Sequence, residues 1–260
     1  MTKINIQGLQ WDAKSSFQKG PAKAPALIRK ALYSDSMNLY TENLIGIENE
    51  HITDKGDFEI NDYFDIEKIT KKHLEEGGKI LSLGGDHSVT FPIIKAYHQF
   101  YPKLDILHID AHADLYHDYE GDPYSHACPF ARIMESGLAV KLVQVGIRTL
   151  NPHQAEQARK YNVEIQEMRN LDLKAIIKFE NPLYISLDMD GFDPAFAPGV
   201  SHNEPGGLST REVLHLIQNI KTEVVGADIV EYNPDRDFQD MTAYLAAKMM
   251  KELIGKMISS

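Results

Sequence analysis

The chain carries a single cysteine in 260 residues, Cys128, so no disulfide can form within it. That excludes a disulfide-stapled scaffold and fits a reducing compartment. Basic residues are also in deficit: the net charge of −11 leaves no basic face for phosphates, which argues against a nucleic-acid partner. An acidic chain suits a small cationic ligand instead. No apolar run approaches the length of about 20 residues that spans a bilayer, which argues against a membrane partner. The opening residues, MTKINIQGLQWD, lack the apolar core of a signal peptide. Internal repeats, low-complexity tracts and Pro/Gly/Ser linkers are missing as well. The expectation is a soluble cytoplasmic protein folded as one domain over residues 1–260.

What is present suffices for a large core, with 43% hydrophobic and 25% charged residues. Short apolar runs at residues 4–7, 79–83, 105–109, 141–145, 183–187 and 223–230 read as strands, several of them buried on both faces. Helical patterns fall between them, at residues 25–32, 65–76, 91–100, 127–136, 151–161, 210–221 and 241–256. Strand–helix alternation implies an α/β fold with a largely parallel sheet and helices on both sides. Ligands then bind beyond the carboxyl ends of the strands.

Three of those ends carry metal-ligand chemistry. In Leu83-Gly84-Gly85-Asp86-His87-Ser88, the glycines permit a tight turn that presents His87 at the sheet edge; alone, such a histidine reads as structural. Asp110, His112 and Asp114 follow the second run, spaced by alanines, and in extended chain they share one side. Asp188 and Asp190 leave the third run in the same way, and a buried carboxylate pair is costly unless a cation neutralises it. Four carboxylates match the charge of two divalent ions. Oxygen-rich ligation with some imidazole suits manganese better than zinc, leaves nickel, cobalt and iron open, and suits magnesium poorly. Two such ions activate water and polarise a substrate.

These motifs, in this order, resemble the signature of the ureohydrolase family, which includes arginases, agmatinases, guanidinobutyrases, proclavaminate amidinohydrolases and formiminoglutamases. The resemblance extends to Gln18-Lys19-Gly20-Pro21 with Ala24-Pro25, to Val145-Gly146-Ile147-Arg148 and to Val230-Glu231-Tyr232-Asn233-Pro234, nearly the whole chain. Tyr124-Ser125-His126-Ala127 and residues 197–207 look most like the plant arginase branch, whose bacterial members are often called agmatinases. The resemblance implies a three-layer α/β/α sandwich around a mostly parallel sheet of about eight strands, and assembly as a homotrimer or homohexamer. It implies two Mn2+ per chain, one held by His87, Asp110, Asp114 and Asp188, the other by Asp110, His112, Asp188 and Asp190. Glu231 would anchor a guanidinium, Asp114 would relay a proton to the leaving nitrogen, and His126 would exchange protons with solvent. Ala127 stands where many members carry glycine, which makes His126 the least secure of these.

Urea would thus be cut from a small cationic guanidino substrate. Acidic Asp118, Glu120 and Asp122 in the loop before His126, together with Tyr116, favour the amine tail of agmatine where the loop faces the substrate, and decide little where it faces solvent. The plant-arginase look favours arginine, which is placed narrowly first, with activity on agmatine expected. Guanidinobutyrate is a further alternative. A single-zinc deacetylase of the same fold would need fewer carboxylates, and a degenerate binding protein would have lost a ligand. His108 reads as a supporting histidine rather than a ligand, and Asp86 and Asp193 as loop hydrogen-bonders. His202, Asn203 and Glu204 read equally as tail contacts or turn caps, Gly191 and the methionines Met249 and Met250 as packing, and Trp11 has no assigned role.

Overall fold

The apolar runs of the sequence become strands whose two faces are both covered. The computed structural model describes residues 2–172 and 178–260. Among them, eight strands form one sheet: β1 (Ile4–Gln10), β2 (Ile52–Glu59), β3 (Lys79–Leu83), β4 (Asp105–Ile109), β5 (Lys141–Ile147), β6 (Glu164–Glu167), β7 (Leu183–Asp188) and β8 (Val224–Val230). Their order across the sheet is β2-β1-β3-β8-β7-β4-β5-β6, and every pairing is parallel. The sheet and its flanking helices are the expected three-layer architecture.

Alternation along each inner strand divides the core in two. Leu81, Leu107, Val143 and Ile185 face one side, with α1 (Ala24–Leu32), α6 (Thr210–Asn219) and α7 (Met241–Ser259). Ile80, Ile106, Leu142 and Tyr184 face the other, with α2 (Asp65–Glu75), α3 (Thr90–His98), α4 (Pro129–Glu135) and α5 (Pro152–Lys160). Helix starts follow local chemistry. Asn151 accepts from the Gln154 amide before Pro152, and Ser209 with Glu212 closes a capping box.

Two strands were not expected from the sequence, β2 and β6, and both are sheet edges. Their sequences, ITDKGDFE and EIQE, are polar and half-exposed. Charged edges block pairing with a second sheet, and this hides them from any reading based on apolar runs.

The strand order brings the motifs together. β3 and β4 are consecutive in sequence, yet β8 and β7 lie between them. The four inner strands also end in register: Leu83 stands opposite Ile229, Ile229 opposite Leu187, and Leu187 opposite Ile109. Because all run in one direction, their carboxyl ends line a single crevice.

Packing beneath the sheet is tight where Tyr97 crosses β8. Its hydroxyl accepts from the Ile80 amide at 3.2 Å and donates to the Val225 carbonyl at 3.3 Å. A Cβ at Gly226 would lie 2.1 Å from that oxygen. Gly226→Ala is therefore expected to destabilise the fold by about 1–3 kcal/mol, seen in calorimetry as a Tm lower by several degrees. An unchanged Tm would contradict this packing.

Candidate metal centre and active-site cleft

At the end of β3 the chain turns in the narrow space beside Trp11. A Cβ at Gly85 would meet the Trp11 carbonyl oxygen at 1.5 Å, so only glycine fits. That carbonyl accepts the Asp86 amide at 2.9 Å, and the Gly85 carbonyl accepts the Glu231 amide at 2.9 Å. The turn thereby sets His87 beside the end of β8, and the His87 amide donates to Glu231 Oε1 at 2.8 Å.

The His87 ring is oriented from behind. Ser186 Oγ donates to Asp228 Oδ1 at 2.7 Å, so its oxygen accepts from His87 Nε2 at 3.0 Å. Asp228 is fully buried and also accepts from Thr90 and Tyr184 hydroxyls at 2.9 and 3.0 Å. That contact turns the other ring nitrogen, Nδ1, toward the carboxylates. Nδ1 makes no directed hydrogen bond, yet carboxylate oxygens of Asp188, Asp110 and Asp114 surround it at 2.9, 3.1 and 3.2 Å. One imidazole nitrogen and three carboxylate oxygens converging on a point form a donor set that fits a divalent ion.

The second cluster adjoins the first. His112 Nδ1 lies 3.1 Å from Asp190 Oδ2 and 3.4 Å from Asp110 Oδ1. Asp110 thus faces both histidines, one from each oxygen. Asp188 faces His87 through Oδ2 while Oδ1 accepts the Asp190 amide at 2.7 Å. All six predicted side chains converge, but not along extended chain as the sequence suggested. Asp114 has φ +50°, in the left-handed region, and residues 189–191 form a 3-10 turn. Side chains from the ends of β3, β7 and β4, with β8 between the first two, reach one centre only if the chain bends inward. Strain of about 1–3 kcal/mol at such a backbone is tolerated where its surroundings hold it.

Burial dominates the electrostatics. It pushes the Asp188 carboxyl well above the usual range, with Asp190 and Asp110 adding repulsion, and it pushes Asp190 to about 6. Burial works the same way on Asp110, but His108, His112 and His87 outweigh it and hold that group well below the ordinary value.

His108 lies within the cluster, yet both its nitrogens are engaged. Gln144 donates to Nδ1 at 2.9 Å and Nε2 donates to Asp110 Oδ2 at 2.7 Å, with the Phe130 ring stacked at 3.8 Å. Arg148 acts similarly beneath the third motif. Its guanidinium donates to the carbonyls of Asp190 at 2.7 Å and Glu204 at 2.8 Å, and also to those of Gly146, Gly191 and Phe192. Sequence reasoning missed Ser186, Asp228, Gln144 and the structural part of Arg148. The one available signal was a lone acid, Asp228, inside an otherwise apolar strand.

Beside the clustered aspartates and histidines opens a cleft of about 230 Å3. Glu231 forms its floor with φ +60°, and its Oε1 accepts from both the His87 amide and His126 Nδ1, the latter at 2.9 Å. Burial opposes charge on His126, but Glu231 beside it prevails and holds the ring up to about 9. His202, Glu204, Tyr116 and Thr149 line the walls, together with Ser16. The acidic side chains of the loop before His126 do not: Asp118 and Glu120 face solvent, and Asp122 pairs with Lys14 at 2.6 Å. Asn203 is exposed, whereas His202 packs 5.5 Å from His126. Asp86 and Asp193 bind loop amides, Asp193 those of Ala195, Gly206 and Gly207.

Comparison with known proteins agrees with this geometry. The Arginase family model matches residues 2–255. The chain is 45% identical to the mitochondrial arginase of Medicago truncatula over 276 residues, covering 97% of this chain and 81% of that one. The solved arginase structure from Medicago truncatula superposes with TM-score 0.94 at 43% identity, covering 98% and 87%. Agmatine ureohydrolase of Thermoplasma volcanium gives TM-score 0.88 at 30% identity, covering 99% and 90%. Arginase 2 of Arabidopsis thaliana, 42% identical over 97% of this chain and 80% of its own length, is named chloroplastic/mitochondrial. The expected cytoplasmic location is overturned by these names, which are organellar. The cytoplasmic expectation was read from cysteine content and apolar runs, whereas organellar targeting depends on amphipathic, Arg-rich segments that such features do not report. Sequence match, superposition and clustered ligands have one explanation: the chain belongs to the arginase family of binuclear metal-dependent hydrolases.

Proposed function

We propose that this chain hydrolyses L-arginine to L-ornithine and urea, using two manganese ions. The observation that carries the reading is the convergence of His87 Nδ1, His112 Nδ1 and four aspartates beneath a cleft floored by Glu231. His87, Asp110, Asp114 and Asp188 would hold one ion and Asp110, His112, Asp188 and Asp190 the other, with Asp110 and Asp188 shared. Manganese is favoured over zinc because oxygen donors outnumber nitrogen and no thiolate is near. Bound there, the ions supply Lewis acidity that makes water nucleophilic at neutral pH.

The remaining steps belong to the side chains. Glu231 Oε1 is already engaged, so Oε2 is the oxygen left to pair with the substrate guanidinium. That pairing fixes the guanidinium carbon over the aspartate cluster. Asp114 accepts the proton of the attacking water and returns it to the departing nitrogen. His126, bonded to Glu231, exchanges protons between the site and solvent. Assembly as a homotrimer or homohexamer of single-domain chains belongs to the same reading and is supported by the family resemblance.

Agmatine is the second reading, and one observation favours it. No lysine or arginine lines the cleft among the described residues, whereas Glu204 does. An amine tail would be attracted to Glu204, while the carboxylate of arginine finds no lysine or arginine there, only donors such as Thr149 and the cleft histidines. The likeness to plant arginases keeps arginine first.

Urea release from the manganese-loaded enzyme is expected with arginine, and more weakly with agmatine. Release of urea from neither, nor from guanidinobutyrate, would end the functional reading. Asp190→Ala is expected to lower bound manganese by about one ion per chain and to cut urea release by more than about 100-fold; unchanged metal content by elemental analysis would refute the ligand assignment. Chelation should lower the Tm of the wild type, because ions bound only by the folded state stabilise it. A Tm insensitive to chelator would mean that the aspartate cluster holds no ion.

A further inference from the structure

The N-terminal loop, residues 11–20, contributes no predicted site residue, yet it reaches into the cleft. Ser16 lines the cleft beside His126. Its hydroxyl lies 2.8 Å from His126 Nε2, and its backbone amide lies 3.2 Å from the same nitrogen. At the opposite end of the ring, Nδ1 meets Glu231 Oε1 at 2.9 Å. The imidazole is thus held at both nitrogens, at Nδ1 by Glu231 just beyond β8 and at Nε2 by the hydroxyl and amide of Ser16 in the loop.

We propose that Ser16 is a positioning residue that keeps the His126 ring oriented with Nδ1 on Glu231. The inference rests on the ureohydrolase reading above and adds a residue to it. The physical need is clear from the torsion involved. Rotation about the Cβ–ring bond is broad and nearly two-fold, so a histidine tethered at one nitrogen samples flipped orientations. In a flipped ring the nitrogen bonded to Glu231 would be replaced by carbon. A second tether at Nε2 removes that freedom.

The loop is itself fixed, which a positioning role requires. Asp86 Oδ2 accepts the Lys14 amide at 3.0 Å and the Ser15 hydroxyl at 3.2 Å. The Trp11 carbonyl accepts the Asp86 amide, and the Lys14 carbonyl accepts the His126 amide at 3.3 Å. Lys14 Nζ pairs with Asp122 at 2.6 Å in the loop that bears His126. Asp86 immediately precedes His87, so one turn sets both a proposed metal ligand and the segment that carries Ser16. Loop and ring therefore share a frame with the metal cluster.

The test compares manganese-loaded wild type with Ser16→Ala and Ser16→Thr, using arginine. Loss of one hydrogen bond to the ring is expected to lower kcat about five- to tenfold in Ser16→Ala. KM and metal content should hold within about twofold, and threonine should restore kcat to within about twofold of wild type. Crystal structures give a readout independent of turnover. The His126 ring should keep one orientation in wild type and be turned or divided between orientations in Ser16→Ala. A Ser16→Ala enzyme with wild-type kcat, a threonine variant as impaired as alanine, or an unmoved ring in Ser16→Ala would each overturn the proposal. Wild type that releases no urea would instead defeat the functional reading, and the ring orientations would still decide the role of Ser16.

Discussion

Four carboxylates packed against each other at the buried edge of a sheet are the constraint around which this protein is organised. Two unit charges about 4 Å apart repel by about 4 kcal/mol even at an effective dielectric near 20. Asp110, Asp114, Asp188 and Asp190 crowd around His87 and His112, and three of their oxygens face a single buried ring nitrogen. Burial raises Asp188 and Asp190 while the histidines draw Asp110 down. The two divalent cations proposed above would match the four carboxylates in charge.

Much of the scaffold serves to keep that crowding from relaxing. Asp228 holds Ser186, and Ser186 holds His87. Gln144 holds His108, and His108 holds Asp110. Arg148 ties the carbonyls of the third motif into one body. These contacts begin on β8, on β5 and just beyond β5, and each ends on a residue of the clustered motifs. Left-handed backbone at Asp114 and Glu231 belongs to the same design, since both residues must face inward from strands that point past the centre. Rigidity of this kind is what lets a small guanidino group be aligned over a reactive water.

The inner strands were legible because runs such as KILSL and DILHI are largely apolar, and the polar residues beyond their ends stood out against them. The six candidate ligands follow such runs, and Glu231 was assigned through the family resemblance. The edge strands were not legible, since charge that prevents aggregation also erases the apolar pattern. Neither were Ser16, Ser186 and Asp228, whose importance arises from partners 110, 99 and 42 residues away. The acidic loop was open in another way: composition allowed Asp118 and Glu120 to face either substrate or solvent, and the chain turns them to solvent.

The convergence of ligands can be tested most directly by anomalous diffraction from crystals grown with manganese. Two peaks are predicted in each chain, adjacent to one another beyond the ends of β3, β8, β7 and β4, with Asp110 and Asp188 touching both. A single peak, or manganese bound away from His87 and His112, would contradict the account.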